Sequence, residues 1–390
     1  MPTHFADNYS IHDHGRMVNE RKRMDAFVGA LEQAVRPGSV VLDIGTGSGV
    51  FAILACRLGA ARVYALEPDP IIDVAMLCAS NNEIGNKIIW TQGLSTQIDL
   101  PERVDVVIGD LHGTLPFYNS NIDSMRDARR RHLKPNGRMI PARDVLRAAP
   151  AHAPLEYRNV SSPWLANDLG INMSAGHVFV TNQWWRARPQ AIDAGNFLAA
   201  PATWGVIDYL TVDKLGLEGS LSWCIESAGT MHGFYIWFDS EVADGLTLSN
   251  APDVDELVYG RAFFPLAEAV DVLVGDVLHA RIVATRVGSD DIYRWDTQVT
   301  SAAGEDKARF SQSTFKSRPI RRTQLAKLAA EHVPSLGEAG AIDRDILDAM
   351  TGALTLQQIA THIAARYPKH FPDEASALSH VGKVSAKYAI

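Results

Sequence analysis

Val40-Val41-Leu42-Asp43-Ile44 runs straight into Gly45-Thr46-Gly47-Ser48-Gly49, and these are the first residues in the chain whose types and order suggest chemistry. An apolar strand feeds a Gly-x-Gly-x-Gly turn. Val50 to Leu58 then reads as a helix, and a second apolar run, Ala61 to Leu66, closes on the acid Glu67. Such a strand–helix–strand unit binds a nucleoside. Its glycines let a ligand approach the backbone, and a carboxylate ending the second strand can accept both ribose hydroxyls. The dinucleotide fingerprint does not fit, because it needs a glycine three positions after the second one and position 50 is Val. Asp43 followed by Gly-x-Gly-x-Gly fits S-adenosylmethionine better. On this reading Gly45 and Gly47 face the cofactor's amino-acid part, Asp43 organises the loop and Glu67 takes the ribose. Gly93-Leu94-Ser95, after the third strand, offers a slot for adenine.

The elements that must position these groups alternate. Strands are predicted at 40–44, 62–67, 87–91 and 104–108, with helices at 49–58, 70–80 and about 120–132. This alternation predicts an α/β fold, a doubly wound and mostly parallel sheet, over residues 37–141. Ligands of such sheets sit at the carboxyl ends of the strands, which would gather the glycine turn, Glu67 and Asp110 at one edge. Before it, residues 1–36 read as a polar entry and a helix with Met24, Phe27, Val28, Leu31 and Val35 on one face. Lys134-Pro135-Asn136-Gly137 reads as a turn. From 142 to 316 short runs rich in β-branched and aromatic residues predict an antiparallel β domain. Within it, 163–196 is less strand-like, carries Trp164, Trp184 and Trp185, and reads as an arm. Residues 317–390 turn helical. Thr355 and Gln358 match a capping box, Leu356, Ile359, Ile363 and Tyr367 share a face, and Leu378, Val381 and Val384 share another. This tail faintly resembles small helical modules of the PqqD or winged-helix type, or else is a helical cap.

The net charge of −8 argues against nucleic acid as a partner, since phosphate binding needs a basic face. Cys56, Cys78 and Cys224 are far apart and form no CxxC pair, so neither a metal site nor a disulfide framework is indicated; a cytoplasmic setting is expected. No apolar stretch is long enough to cross a membrane.

Beyond these readings the chain resembles the protein arginine methyltransferase family, over roughly residues 5–315. Phe5-Ala6-Asp7-Asn8-Tyr9 is similar to that family's aromatic-x-x-x-Tyr lid. His14-Gly15-Arg16-Met17-Val18-Asn19-Glu20-Arg21-Lys22-Arg23 is similar to its His-x-x-Met-Leu-x-Asp-x-x-Arg segment. Leu133 to Pro141 also matches. The resemblance implies a Rossmann-like class I methyltransferase domain (37–141) behind an N-terminal helical lid, then a β-barrel substrate domain whose arm makes a homodimer. It further implies S-adenosylmethionine as cofactor, with Tyr9, His14 and Met17 covering it and Arg23, or Arg21 in a competing register, pairing with its carboxylate.

The acceptor side departs from the family. Ser-Glu-Trp-Met-Gly-Tyr is here Gly109-Asp110-Leu111-His112-Gly113-Thr114, and the second glutamate is Asn119. The family's Thr-His-Trp loop is missing near Leu257-Val258-Tyr259-Gly260. A guanidinium is a planar cation that two carboxylates clamp, and one of the two is gone. The expected substrate is therefore atypical, a natural-product intermediate or a modified peptide with an N or O nucleophile. Asp110 would orient or deprotonate it, His112 would act as general base (or be a packed loop residue without a role), and Asn119 would hydrogen-bond a neutral acceptor. A true arginine methyltransferase using Asp110, or a silent scaffold, are the alternatives.

Overall fold

The computed structural model describes residues 9–187, 194–252, 254–288 and 290–389. Phe5 to Asn8 of the lid lie outside them. The chain divides into two compact units, residues 1–319 and 320–390.

The first unit opens with two helices, α1 (Ile11–Val18) and α2 (Arg21–Ala34). A capping box between Ser10 and Asp13 starts α1. Phe27, Ala30 and Leu31 of α2 are fully buried, and Phe27 stacks on Phe51 with ring centroids 5.1 Å apart. The strands β1 (Val40–Ile44), β2 (Arg62–Glu67), β3 (Ile88–Gln92), β4 (Val104–Ile108) and β5 (Leu133–Ile140) form an all-parallel sheet in the order β3-β2-β1-β4-β5. The helices α3 (Val50–Arg57), α4 (Ile72–Asn81) and α5 (Asn121–Arg131) connect them. Every residue of β1 is buried, as a central parallel strand covered on both faces requires. The strand order reverses beside β1, so the connections leaving β1 and β4 run in opposite directions along the sheet, which is where such folds leave a crevice at the strands' carboxyl ends. One local expectation changes. Lys134 to Gly137 lie inside β5, where a register shift absorbs them and Asn136 takes φ +64°.

The second half of this unit is antiparallel. Strands β6 (Arg143–Ala151), β7 (Trp185–Ala187), β8 (Ala202–Asp208), β10 (Gly229–Ala243), β11 (Leu246–Ser249) and β12 (Arg261–Val272) make one sheet; β9 (Leu217–Cys224), β13 (Val277–Val287), β14 (Asp290–Thr300) and β15 (Asp306–Ser313) make another. β8 lies against β9 and β12 against β15, so the expected barrel is two sheets around one core of Trp295, Phe234, Phe264 and Tyr293. α6 (Pro154–Leu165) leads into the arm region, which contains α7 (His177–Thr181). Its tryptophans pack within the chain: Trp184 stacks on Phe264 and the Trp185 indole N–H donates to the Val180 carbonyl at 2.9 Å.

The second unit contains α8 (Arg322–Ala326), α9 (Glu338–Ala349), α10 (Leu356–Arg366) and α11 (Glu374–Tyr388). The Thr355–Gln358 capping box is formed in both directions. Its core joins Ile342, Ile346, Ile359, Ile363, Val381 and Val384; Leu356, expected on that face, is 42% exposed. Ile346 is fully buried, so Ile346→Ala removes its packing and leaves a cavity. A loss of about 2–5 kcal/mol is expected, read as a lower denaturant midpoint for a module with a core of its own.

Candidate active site

The glycine turn adopts backbone conformations that side chains disfavour: φ is +65° at Gly45, +52° at Gly47 and +79° at Gly49. A Cβ on Gly47 would stand 3.0 Å from the His14 ring, and one on Gly45 would collide with Leu111. The turn is therefore roofed by α1 on one side and by the loop after β4 on the other. Asp43 ties it from below. Its Oδ2 accepts the Thr46 hydroxyl at 2.6 Å, and it takes the Ala52 amide as well. Burial pushes this carboxyl up to about 7 even so, with Glu67 adding to the rise.

Glu67 ends β2 with its two oxygens divided. Oε2 accepts the Gly47 N–H at 2.9 Å and Oε1 the Asp69 N–H at 3.0 Å. A carboxylate has about four acceptor positions, so each oxygen keeps one for a ribose hydroxyl. Burial raises its pKa against those two donors. Ser95, buried, begins the turn after β3 at the same sheet edge. Tyr9 and His14 meet edge to face at 6.1 Å, and Tyr9 meets Tyr118 at 6.4 Å. These rings stand beside the glycine turn, where a lid would lie.

Arg23 is buried and Arg21 exposed, so the register that points Arg23 inward is the one the structure has. Its guanidinium lies 5.6 and 5.4 Å from the ring centres of Phe27 and Phe51. Nη1 donates to the Met17 carbonyl at 3.0 Å, and Nε donates to Asp110 Oδ2 at 2.5 Å and to the Tyr259 hydroxyl at 3.2 Å. Among the described residues Nη2 makes no hydrogen bond. It is the nitrogen available to a ligand carboxylate.

Asp110 begins a buried chain of alternating charge. Its Oδ1 lies 3.0 Å from His112 Nδ1, and the Tyr259 hydroxyl is 2.8 Å from both of its oxygens. His112 Nε2 lies 3.1 Å from each oxygen of Asp144 on β6. Asp144 Oδ2 in turn accepts the Tyr209 hydroxyl at 2.6 Å, and Asn121 donates to Tyr209 at 2.9 Å. The imidazole is 1% exposed and stacks flat on Phe238 of β10, with centroids 4.7 Å apart and planes 8° from parallel.

Ionised carboxylates only accept hydrogen bonds. A ring with one on each nitrogen must therefore donate from both and carry a positive charge. Burial alone would lower the His112 pKa; Asp144 and Asp110 outweigh it and raise the group to about 10. Burial alone would raise Asp110, and the Arg23 and His112 cations hold it well below the usual carboxylate range.

Comparison with known proteins places this geometry. The family model "Ribosomal protein L11 methyltransferase (PrmA)" matches residues 26–141. A "Probable protein arginine N-methyltransferase 6" of Arabidopsis thaliana is 32% identical over 235 residues, 58% of this chain and 54% of that protein. The Arabidopsis "Protein arginine N-methyltransferase PRMT10" is 26% identical over 341 residues, covering 77% of this chain and 87% of the relative. The chain spans little more than half the length of the first of these. Among solved structures, the Arabidopsis protein arginine methyltransferase 10 crystal structure superposes with a TM-score of 0.67, at 23% identity, over 78% of this chain and 97% of the other. The Trypanosoma brucei PRMT1 enzyme–prozyme heterotetrameric complex with AdoHcy gives 0.69, at 17% identity, over 77% and 96%.

The chain resembles the protein arginine methyltransferases.

The loop after β4 turns its polar side chains inward. His112, expected as a general base or as a packed loop residue, has a carboxylate at each ring nitrogen, and a ring that donates to both has no lone pair for a substrate proton. Asp110 is likewise a poor base, since three donors surround it. Asn119 falls in the short turn Tyr118–Ser120, and its side chain lies outside what the structure describes.

Sequence reading missed Tyr259, Asp144 and Tyr209. Asp144 left a signal, because strand alternation puts it on the inward face with Leu146 and Ala148, where an unpaired acid would be costly. Glu20 was also missed. It precedes α2, and its Oε1 accepts the Val258 N–H at 2.6 Å, while its Oε2 is buried without a hydrogen bond among the described residues. Glu20 lines a cavity of about 280 Å³ together with Tyr9, Asp13, Arg16, Arg186 and Val258. Asp110, Arg186 and Arg23 all act electrostatically on the Tyr9 hydroxyl.

The His112 pairing has a pH signature. Folding raises its pKa, so the stability it contributes is complete below the unfolded value, about 6.5, and fades as pH rises toward about 10. Denaturant midpoints of the wild type should fall between pH 6 and 9.5 more steeply than those of a His112→Gln/Asp144→Asn double variant, which lacks the titrating pair. Parallel profiles would show that the ring is not charged.

Proposed function

We propose that this protein is an S-adenosylmethionine-dependent methyltransferase on the arginine methyltransferase scaffold, acting on an N or O nucleophile of an atypical small-molecule or peptide acceptor. The observation that carries the cofactor half is the joint placement of three groups: the positive-φ glycine turn, Glu67 with one acceptor position left on each oxygen, and Arg23 with an Nη2 that makes no hydrogen bond among the described residues. Held by these residues, the cofactor would supply an electrophilic sulfonium methyl to the acceptor's lone pair, with sulfur keeping the electrons of the broken S–C bond and the acceptor's N–H or O–H proton passing to solvent.

The protein's contribution is positional. Glu67 sets the ribose, Arg23 Nη2 takes the carboxylate, Asp43 holds the loop, and Tyr9, His14 and Met17 exclude water from above. Gly45 and Gly47 keep side chains out of the cofactor's path. Asn119 and the cavity beside Tyr9 and Glu20 serve the acceptor, whose natural-product or modified-peptide character follows from the altered loop. A true arginine methyltransferase is the second reading, favoured by the likeness to the plant enzymes.

The same reading places the protein in the cytoplasm as a homodimer. The arm supports the dimer, because Leu165, Leu169, Ile171 and Met173 are 54%, 77%, 55% and 45% exposed, as are Met76 and Leu77 of α4 at 46% and 66%. An apolar arm and an apolar helix face on the same chain suit head-to-tail pairing.

Two measurements test this. In calorimetry the wild type should bind S-adenosylhomocysteine, and Glu67→Ala or Arg23→Ala should weaken binding by about 10- to 100-fold, the cost of losing a hydrogen bond with a charged group. No binding by the wild type would leave a scaffold without chemistry. In sedimentation velocity the wild type should run as a dimer and Leu169→Asp/Ile171→Asp as a monomer; a monomeric wild type at micromolar concentration refutes the arm's role.

A further inference from the structure

We propose that a row of rings at the root of the arm, made by His152, His232, Tyr157 and His177, is an acid-sensitive latch: neutral histidines hold α6 and α7 on the sheet, and protonation releases them and with them the dimer. Release of the arm stands on the geometry of the row; its consequence for the dimer rests on the homodimer reading above.

The exposed apolar side chains of the arm, Leu165, Leu169, Ile171 and Met173, lie between the end of α6 and the start of α7. The Trp164 ring covers the backbone at Gly176, where a Cβ would not fit, and so ties the two ends together. α6 begins at Ala153 without a side-chain cap of its own. Its N-cap amide finds an acceptor outside the helix: His232 Nδ1, on β10, accepts the Ala153 N–H at 3.2 Å. A ring nitrogen that accepts holds a lone pair, so this imidazole is neutral with its proton on Nε2. His152, just after β6, has the opposite arrangement. Its Nδ1 lies 2.9 Å from the Thr230 carbonyl, which only accepts, so that nitrogen carries a proton. The two imidazoles stand 5.1 Å apart, Tyr157 of α6 lies 5.4 Å from His232, and His177 of α7 lies 6.4 Å from Tyr157. The Tyr157 hydroxyl donates to the Ala267 carbonyl of β12 at 3.2 Å.

A proton on His232 Nδ1 would set a donor against a donor. The Ala153 N–H would lose its partner, and a cation would appear on a side chain only 7% exposed, beside a second imidazole. Burial and His152 hold His232 below its ordinary value, against the Thr230 carbonyl and Asp271 of β12, an exposed acid that also accepts the Thr230 hydroxyl. Burial likewise lowers His177, against Glu268 of β12, and its Nε2 is buried without a hydrogen bond among the described residues. Glu156 of α6 acts on the Tyr235 hydroxyl. Folding therefore lowers both histidine pKa values. The row is fully stable above the unfolded value, about 6.5, and loses stability as pH falls below it.

The test uses the full chain. Hydrogen exchange, corrected for its intrinsic pH dependence, should show α6 and α7 losing protection by about tenfold between pH 7.5 and 5.5, the effect of one proton over the unit of pH below about 6.5. β13 and β14 should keep theirs. His232→Asn offers the Ala153 N–H a carbonyl oxygen that does not titrate, and it should keep α6 and α7 protected at both pH values. Sedimentation velocity should show the wild type dissociating at pH 5.5 and the variant remaining a dimer. Charging histidines brings the net charge of −8 toward zero, which favours association, so dissociation there runs against the general trend. If the variant does not fold, ¹⁵N resonances of the wild type decide instead: His232 should carry a proton on Nε2 alone at pH 7.5 and take up its second proton as the protection of α6 falls. Unchanged protection at pH 5.5, an equal loss in the variant, or a His232 already cationic at pH 7.5 overturns the inference. A wild type that is monomeric at pH 7.5 overturns the dimer reading alone, and hydrogen exchange still decides the latch.

Discussion

A single buried chain of charges, Arg23–Asp110–His112–Asp144, joins the three parts of the larger unit: helix α2, the loop after β4 and strand β6 of the antiparallel half. None of these groups would be stable alone where it sits, since an unpaired ion in a protein interior costs several kcal/mol. In alternation each is compensated on both sides, and Tyr259 and Tyr209 fill remaining acceptor positions with neutral donors. The α2 helix must therefore pack where Arg23 reaches Asp110. The loop 109–115 must pass between the two halves, and β6 must present Asp144 inward. The site's shape follows from electrostatic bookkeeping as much as from apolar packing.

That chain also separates the two tasks of the site. On one side lie the glycine turn, Asp43 and Glu67, which organise one another through short hydrogen bonds and leave acceptor positions open. On the other side, Asp110, His112 and Asp144 are turned inward and bonded to one another. Arg23 belongs to both. Nε and Nη1 are bonded, to Asp110, Tyr259 and the Met17 carbonyl, and Nη2 makes no hydrogen bond among the described residues, so the strength of the buried pair sets how firmly Nη2 is aimed.

Much of the fold was legible because its signals are local. The parallel sheet came from apolar runs alternating with helical periods, and Thr355 with Gln358 marked the start of α10 without reference to anything distant. Lys134 to Gly137 misled for an equally local reason. Pro-Asn-Gly is strong turn chemistry, yet pairing with β4 keeps the segment in the strand with a shifted register. In the tail, Leu356 has the right period for the core but sits at the helix's first turn, where Ile359 and Ile363 do the packing.

By itself the sequence determined the cofactor half. Asp43, Gly45, Gly47 and Glu67 lie within one βαβ unit, where strand geometry and the positive φ of glycine leave few places for each group to go. Set beside the family it resembles, the sequence also carries one carboxylate, Asp110, where two were expected after β4. Only the tertiary structure decided what the remaining groups do, because a residue's charge state depends on neighbours that sequence spacing does not reveal. His112 lies 32 positions from Asp144, and Asp110 lies 149 from Tyr259. A histidine read as a base becomes a fixed cation once a carboxylate stands at each of its nitrogens.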